Sequence, residues 1–235
     1  MFYYIVLIIG VAVSLIFCIR RSNGFSISNL LFKSVSSLFY LLTAVFALIE
    51  RNVTMGDAQA YGSLIIMGGA FGLVGDIMLD LKGVYKKDEK IYLNSGFIAF
   101  LIGHIFYISA IVYSIKMKWW LVLLGACAAA IGGIVTVLSA NIMKVHYGAY
   151  RKIVAVYTSF LLMTAVSAGI AMIVSGFQKG YILMFVGGVL FALSDVILSG
   201  TFFGRGKDKK HHYFINHFLY YAAQYLIAAS IMFIN

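Results

Sequence analysis

Runs of about twenty apolar residues alternate with short polar stretches along the whole chain, and those stretches are rich in Lys and Arg. A helix needs about 20 mostly apolar residues to cross a bilayer. Inside lipid, only helices and closed barrels satisfy their own backbone groups. The pattern therefore predicts eight membrane-spanning helices, at 2–19, 31–49, 61–80, 92–114, 119–139, 153–175, 181–203 and 213–234. Most connections are short. The expectation is an all-α, polytopic protein with one integral membrane domain over 1–235 and no separate soluble domain.

Composition sharpens this picture. Of 235 residues, 63% are hydrophobic and 11% charged, with a mean hydropathy of +0.98, whereas a soluble domain carries about 25% charged residues. The net charge of +10 does not point to nucleic acid, because the basic residues sit in loops. Fourteen follow spans 1, 3, 5 and 7: Arg20, Arg21, Lys33; Lys82, Lys86, Lys87, Lys90; Lys144, Arg151, Lys152; Arg205, Lys207, Lys209, Lys210. The remaining loops hold four: Arg51, Lys116, Lys118 and Lys179. The positive-inside rule makes the first set cytoplasmic and puts both termini on the outer side, with the cell membrane as the expected location. Arg20 and Arg21 follow the first apolar run and no cleavage site is evident, so that run reads as a span and not as a signal peptide. Cys18 and Cys127 lie inside apolar runs and read as small core residues without a disulfide. There is no Pro, so irregularities fall to the 23 Gly.

Against this background the buried charges stand out. Asp76 follows GGAFGLVG, and a carboxylate at membrane depth costs about 2.5–3.5 kcal/mol even on lenient insertion scales. Gly69 and Gly72 share its helix face, so the carboxylate is expected to point into the bundle, where small residues let helices approach. GGAFGLVGDIMLD (68–80) aligns with GGVLFALSDVILS (187–199), pairing Asp76 with Asp195 at an offset of 119. The same offset carries Lys33 onto Lys152. This suggests two parallel four-helix repeats, 1–118 and 119–235, whose axis along the membrane normal brings the two acids to equivalent depth around a shared centre. The face of Asp195 also carries Gly188, Phe191 and Ser199, with Ser194 adjacent. Asp80 is expected at the cytoplasmic mouth, within reach of water and the loop lysines.

Other polar residues lie within spans. His104 falls near mid-membrane with Tyr107 one turn on, as a functional group or as a hydrogen bond to a neighbouring helix. Tyr220, Tyr221 and Gln224 fall within one turn, with Gln224 too deep for an interfacial belt. Tyr157 and Asn94 are weaker candidates of the same kind. His211, His212 and His217 sit in or beside a basic loop, and no HxxxH, HExxH or CxxC occurs, so neither a metal nor another cofactor is expected.

The ordered set Gly75-Asp76-x-x-Leu79, GFIAFLIGH (96–104) with Tyr107, FALSD (191–195) and YYAAQYLI (220–227) resembles the YhhN-like membrane proteins, the family that includes the animal lysoplasmalogenases. The resemblance runs from Lys33 to Ile227. One departure is Lys33-Ser34, where the family usually has Lys-Pro, which leaves the local shape of span 2 open. The resemblance implies hydrolysis of the vinyl-ether bond of a lysoplasmalogen to a fatty aldehyde and a glycerophospho-base, with Asp76 and Asp195 as the matching acids. Such a reaction protonates the β-carbon, passes through an oxocarbenium ion and adds water, so two carboxyls can serve as acid and base, as in glycoside hydrolysis. Which acid plays which part is open. His104 would position groups or relay a proton, and Tyr220, Tyr221 and Gln224 would bond substrate or water. A lysophospholipid would place its tail in the apolar core and its phosphate near Lys33 or Lys152. Two other readings stand beside this one: a proton-coupled transporter using the paired aspartates, and a lipid-binding or structural protein whose polar residues fix helix packing. Oligomeric state is left open.

Overall fold

The computed structural model describes residues 2–22, 24–51, 56–204 and 209–234. They form eight α-helices: α1 Phe2–Arg21, α2 Ile27–Glu50, α3 Asp57–Val84, α4 Glu89–Ser114, α5 Trp119–Leu138, α6 Arg151–Val174, α7 Lys179–Phe203 and α8 Lys210–Ser230. Each coincides with an expected span. Most ends differ where polar residues extend a helix beyond its apolar stretch, while α8 gives way at Ser230 to a 3-10 turn over Ile231–Phe233. α2 starts at Ile27 because Ser26 caps it, accepting from the Asn29 backbone N–H at 3.1 Å.

Seven helices, α1–α7, are long and apolar enough to cross a membrane. α8 is more polar, yet it lies antiparallel to α7 along its whole length. Asn216 donates to Ser194 O at one end, Gly187 abuts Ala223 and Ile227 in the middle, and Gly180 abuts Ile234 at the other. α8 thus covers the same depth as α7 and spends its polar side chains on the interior.

Glycines set the closest approaches. A Cβ on Gly68 would lie 2.4 Å from the Tyr107 ring and 3.0 Å from Gly103 O, so α3 and α4 meet almost backbone to backbone. The contact recurs: a Cβ on Gly187 would lie 3.1 Å from Ala223 O, joining α7 to α8. Likewise Gly96 sits against Gly75 O, and Asn216 against Ser194 O. In both cases the second pair lies 119 and 120 residues after the first.

The two ends of the bundle differ. At the basic end, Arg21 stacks on Phe25, Lys82 lies over Phe202, and Val145 bridges to Gly204. At the other, Arg51 donates to Ile231 O, Lys116 pairs with Asp57, and Tyr181 donates to Ser114. Arg205 and Lys207 lie outside the described residues. The outer faces carry apolar side chains such as Ile8, Leu123 and Leu138, as lipid contact requires. Both cysteines are free, but only Cys18 is buried. Cys127 is on the exposed face of α5, because an apolar run does not reveal which of its faces meets the bundle.

Candidate functional site

Asp76 is 2% exposed and lies on the glycine face of α3, with Gly68, Gly69, Gly72 and Gly75 also buried. Its Oδ2 accepts from Ser37 Oγ at 2.6 Å and from the Tyr220 hydroxyl at 2.7 Å. Its Oδ1 lies 3.2 Å from Lys33 Nζ. Lys33 also donates to Asp80 Oδ1 at 3.1 Å, and Arg21 Nη2 lies 3.4 Å from the same oxygen. Two carboxylates and two cations thus form one buried cluster. An unpaired charge at that depth would be expensive, and here each has an opposite partner.

This placement corrects two expectations. Asp80 is 1% exposed and paired inside the bundle, not at an aqueous mouth among the loop lysines. Lys33 is held between two acids. One turn separates Asp76 from Asp80 along α3, which is the spacing a single lysine can bridge.

Asp195 has a different environment. The Tyr157 hydroxyl hydrogen-bonds its Oδ2, and Ser194 Oγ donates to its Oδ1 at 3.3 Å. Among the described residues no cation pairs with it. Asp76 and Asp195 have separate partners, and both line one cavity of about 140 Å³.

The cavity is amphipathic. Arg21, Lys33, Asp76, Asp80, Asn216 and His217 form a polar end, while Phe97, Phe100, Val154, Leu161, Leu162 and Phe202 give an apolar wall. Val196 lines it and is 53% exposed on the outer surface of α7, so the cavity reaches the lipid-facing side there. Tyr147, from the α5–α6 connection, also lines it and shares a 2.9 Å hydrogen bond with Ser199.

Behind Asp76 runs a chain of hydroxyls and an amide. Tyr107 donates to Gln224 Oε1 at 2.9 Å, Gln224 Nε2 to the Tyr220 hydroxyl at 3.1 Å, and Tyr220 to Asp76. Gly72 leaves room for it, since a Cβ there would stand 3.0 Å from both Gln224 Nε2 and the Tyr40 hydroxyl. Tyr221 lies 3.1 Å from Ser37 Oγ and donates to Lys33 O. It buttresses the cluster from outside the cavity wall. His104 is fully enclosed. Its Nδ1 lies 3.0 Å from Thr164 Oγ1, which is also 3.1 Å from Phe160 O. Its ring sits 4.8 Å from that of Phe191, and Nε2 has no hydrogen-bond partner among the described residues.

Of the expected residues, the fold gathers Asp76, Lys33, Tyr220, Tyr221, Gln224 and Tyr107 into one network, and puts Asp195 and Tyr157 on another side of the cavity. His104 stands behind the wall. Asn94 does not join: it is exposed on α4, whose buried face runs through Leu93 and Gly96. Lys152 is likewise exposed at the start of α6 and outside the cavity lining. His217 is buried and lines the polar end, bonded through Nδ1 to Tyr213 O at 2.7 Å, so His104 is not alone at depth. Four site residues, Arg21, Ser37, Asn216 and His217, carry little mark in the sequence. Arg21 reads as a loop charge because it follows the first apolar run. Ser37 and Asn216 had one available signal, their position one turn from Lys33 and Tyr220 respectively. His217 follows His211 and His212 in the sequence, which hides that it is the buried one of the three.

No curated protein and no solved structure matches the chain. The YhhN family profile matches residues 28–231, which include every element contributing to the Asp76 and Asp195 clusters except Arg21 in α1. With most of its length matched, the chain belongs to the YhhN family.

Proposed function

We propose that this protein is a membrane-embedded hydrolase of vinyl-ether lysolipids. The observation that carries the reading is the pair of acids on one amphipathic cavity, one neutralised by Lys33 and the other with no cation among the described residues. An ionised Asp195 against an apolar wall would stand uncompensated, so Asp195 is the proton carrier. Asp76, with a cation and two hydroxyl donors, holds its negative charge. Asp195 gives its proton to the β-carbon of the vinyl ether, and the double-bond electrons form the new C–H bond. The positive charge of the oxocarbenium ion falls within the field of Asp76, as the two-carboxylate logic of glycoside hydrolysis requires. Water adds to the cationic carbon and returns a proton to Asp195. The hemiacetal then collapses, its hydroxyl proton moving to the departing glycerol oxygen. The products are a fatty aldehyde and a glycerophospho-base.

The substrate tail lies along the apolar wall and leaves toward lipid past Val196. We place the basic end in the cytoplasm of a cell-membrane protein, which puts both termini outside. The recurring contacts at offsets of 119 and 120 support two parallel halves, each contributing one acid.

The test is aldehyde release from a lysoplasmalogen by the purified protein in detergent with a chelator, alongside Asp76→Asn and Asp195→Asn. Release that both variants abolish supports the assignment. No release from folded wild type, with proton flux in liposomes, moves the reading to a proton-coupled carrier.

A further inference from the structure

Two buried atoms of the cavity residues have no hydrogen-bond partner among the described residues: Arg21 Nε and Asp80 Oδ2. Both residues line the cavity, and they are 2% and 1% exposed. Leaving such a group unpaired is costly, and more so when it is charged. Arg21 is only loosely held. Its Nη1 donates to Gly24 O at 3.4 Å, and its Nη2 lies 3.4 Å from Asp80 Oδ1. Its face stacks on Phe25 at 3.5 Å, which leaves the donor edge of the guanidinium available. A spare charged donor therefore stands beside a spare charged acceptor.

Charge balance restricts what can fill the gap. Arg21 and Lys33 offset Asp76 and Asp80, so the cluster is neutral as it stands. A ligand that brings a single charge leaves one uncompensated in a closed, low-dielectric place. A ligand that carries one charge of each sign adds none.

We propose that the Arg21–Asp80 end of the cavity is a head-group subsite for a phospho-amine zwitterion. Phosphate oxygens accept from Arg21, and ammonium N–H groups donate to Asp80 Oδ2. Asn216 and His217 complete the wall. The inference rests on the lysolipid reading and deepens it. Asp80 lies one helical turn, about 6 Å, from Asp76, which places the head group beside the bond to be cut. A primary ammonium can donate hydrogen bonds and a trimethylammonium cannot, so the subsite favours phosphoethanolamine over phosphocholine. Both are favoured over phosphoglycerol, which brings an unbalanced negative charge.

The test is binding of ester-linked lysolipids, which contain no vinyl ether, to the full-length protein in detergent. One acyl chain is compared on phosphoethanolamine, phosphocholine and phosphoglycerol heads. The expected result is binding of the phosphoethanolamine lipid about tenfold or more tighter than the phosphoglycerol lipid. Asp80→Asn should erase that preference, and Arg21→Gln should weaken all three. Equal affinities in the wild type overturn the proposal without recourse to any variant. So does free phosphoethanolamine binding as tightly as the lysolipid, which would make the ligand a soluble phospho-amine. Head-group preference without aldehyde release would uphold this subsite and remove the hydrolase reading; release with equal affinities would do the reverse.

Discussion

The Tyr220 hydroxyl donates to Asp76 Oδ2 at 2.7 Å, tying α8 to α3 across 144 residues of sequence. It is the last link of the Tyr107–Gln224–Tyr220 chain, so it fixes where the carboxylate points. Tyr220→Phe keeps the ring and removes this bond. We expect a loss of about 1.5–3 kcal/mol, the range for hydrogen bonds to charged groups, seen as a lower thermal midpoint in detergent. Aldehyde release should fall as well. A variant as stable and active as wild type would show that the bond does not hold Asp76.

Lys33 stands between Asp76 and Asp80. Among the described residues, Lys33→Met leaves Asp76 with no cation and Asp80 with only Arg21. Breaking one partner of a buried ion cluster costs about 3–5 kcal/mol. Lys33→Met/Asp80→Asn should recover part of that loss, because one uncompensated charge is removed with the lysine. Melting curves of the two variants decide the matter, and equal stabilities would argue against coupling.

The α3–α4 approach makes a sharp packing prediction. A Cβ on Gly75 would lie 2.6 Å from the Phe100 ring, which also lines the cavity. Gly75→Ala should cost about 1–3 kcal/mol through overpacking. Gly68→Ala should cost more, since its neighbours include Gly103 O, a backbone atom with little freedom to yield. Thermal midpoints in the reverse order would contradict the close approach described for these helices.

Val196 marks where the cavity meets the lipid-facing surface. A bulky Val196→Trp should slow release from long-chain substrates more than from short-chain ones, because only the long tail must run past that position. Matching losses across a chain-length series would place the tail elsewhere.

The eight helices were legible because membrane spans are set by a long, strong signal, and only their ends differ. The charged core was legible in part for the same reason: Asp76, Asp195 and Lys33 are anomalies in apolar runs. Their partners were not. Nothing local says that Lys33 would meet Asp76 and Asp80, 43 and 47 positions away, rather than a ligand. Serines in apolar helices commonly bond their own turn, as Ser34 and Ser36 do, so Ser37 carried no distinctive mark. Asn94 and Lys152 were misplaced because depth along a helix is readable from hydropathy, while the direction a polar side chain faces depends on neighbours far away in sequence.

The polar character of α8 has a consequence for membrane insertion. α1–α7 carry enough apolar surface to partition into lipid one after another, but α8 brings Asn216, His217 and Gln224, which only an assembled interior can accept. α8 therefore depends on the interior formed by the other helices, and packs as the second arm of a hairpin with α7. Without it, Asp76 lacks Tyr220, and the cavity lacks one wall. The cluster around Asp76 thus depends on a helix that the bilayer alone would not hold in place.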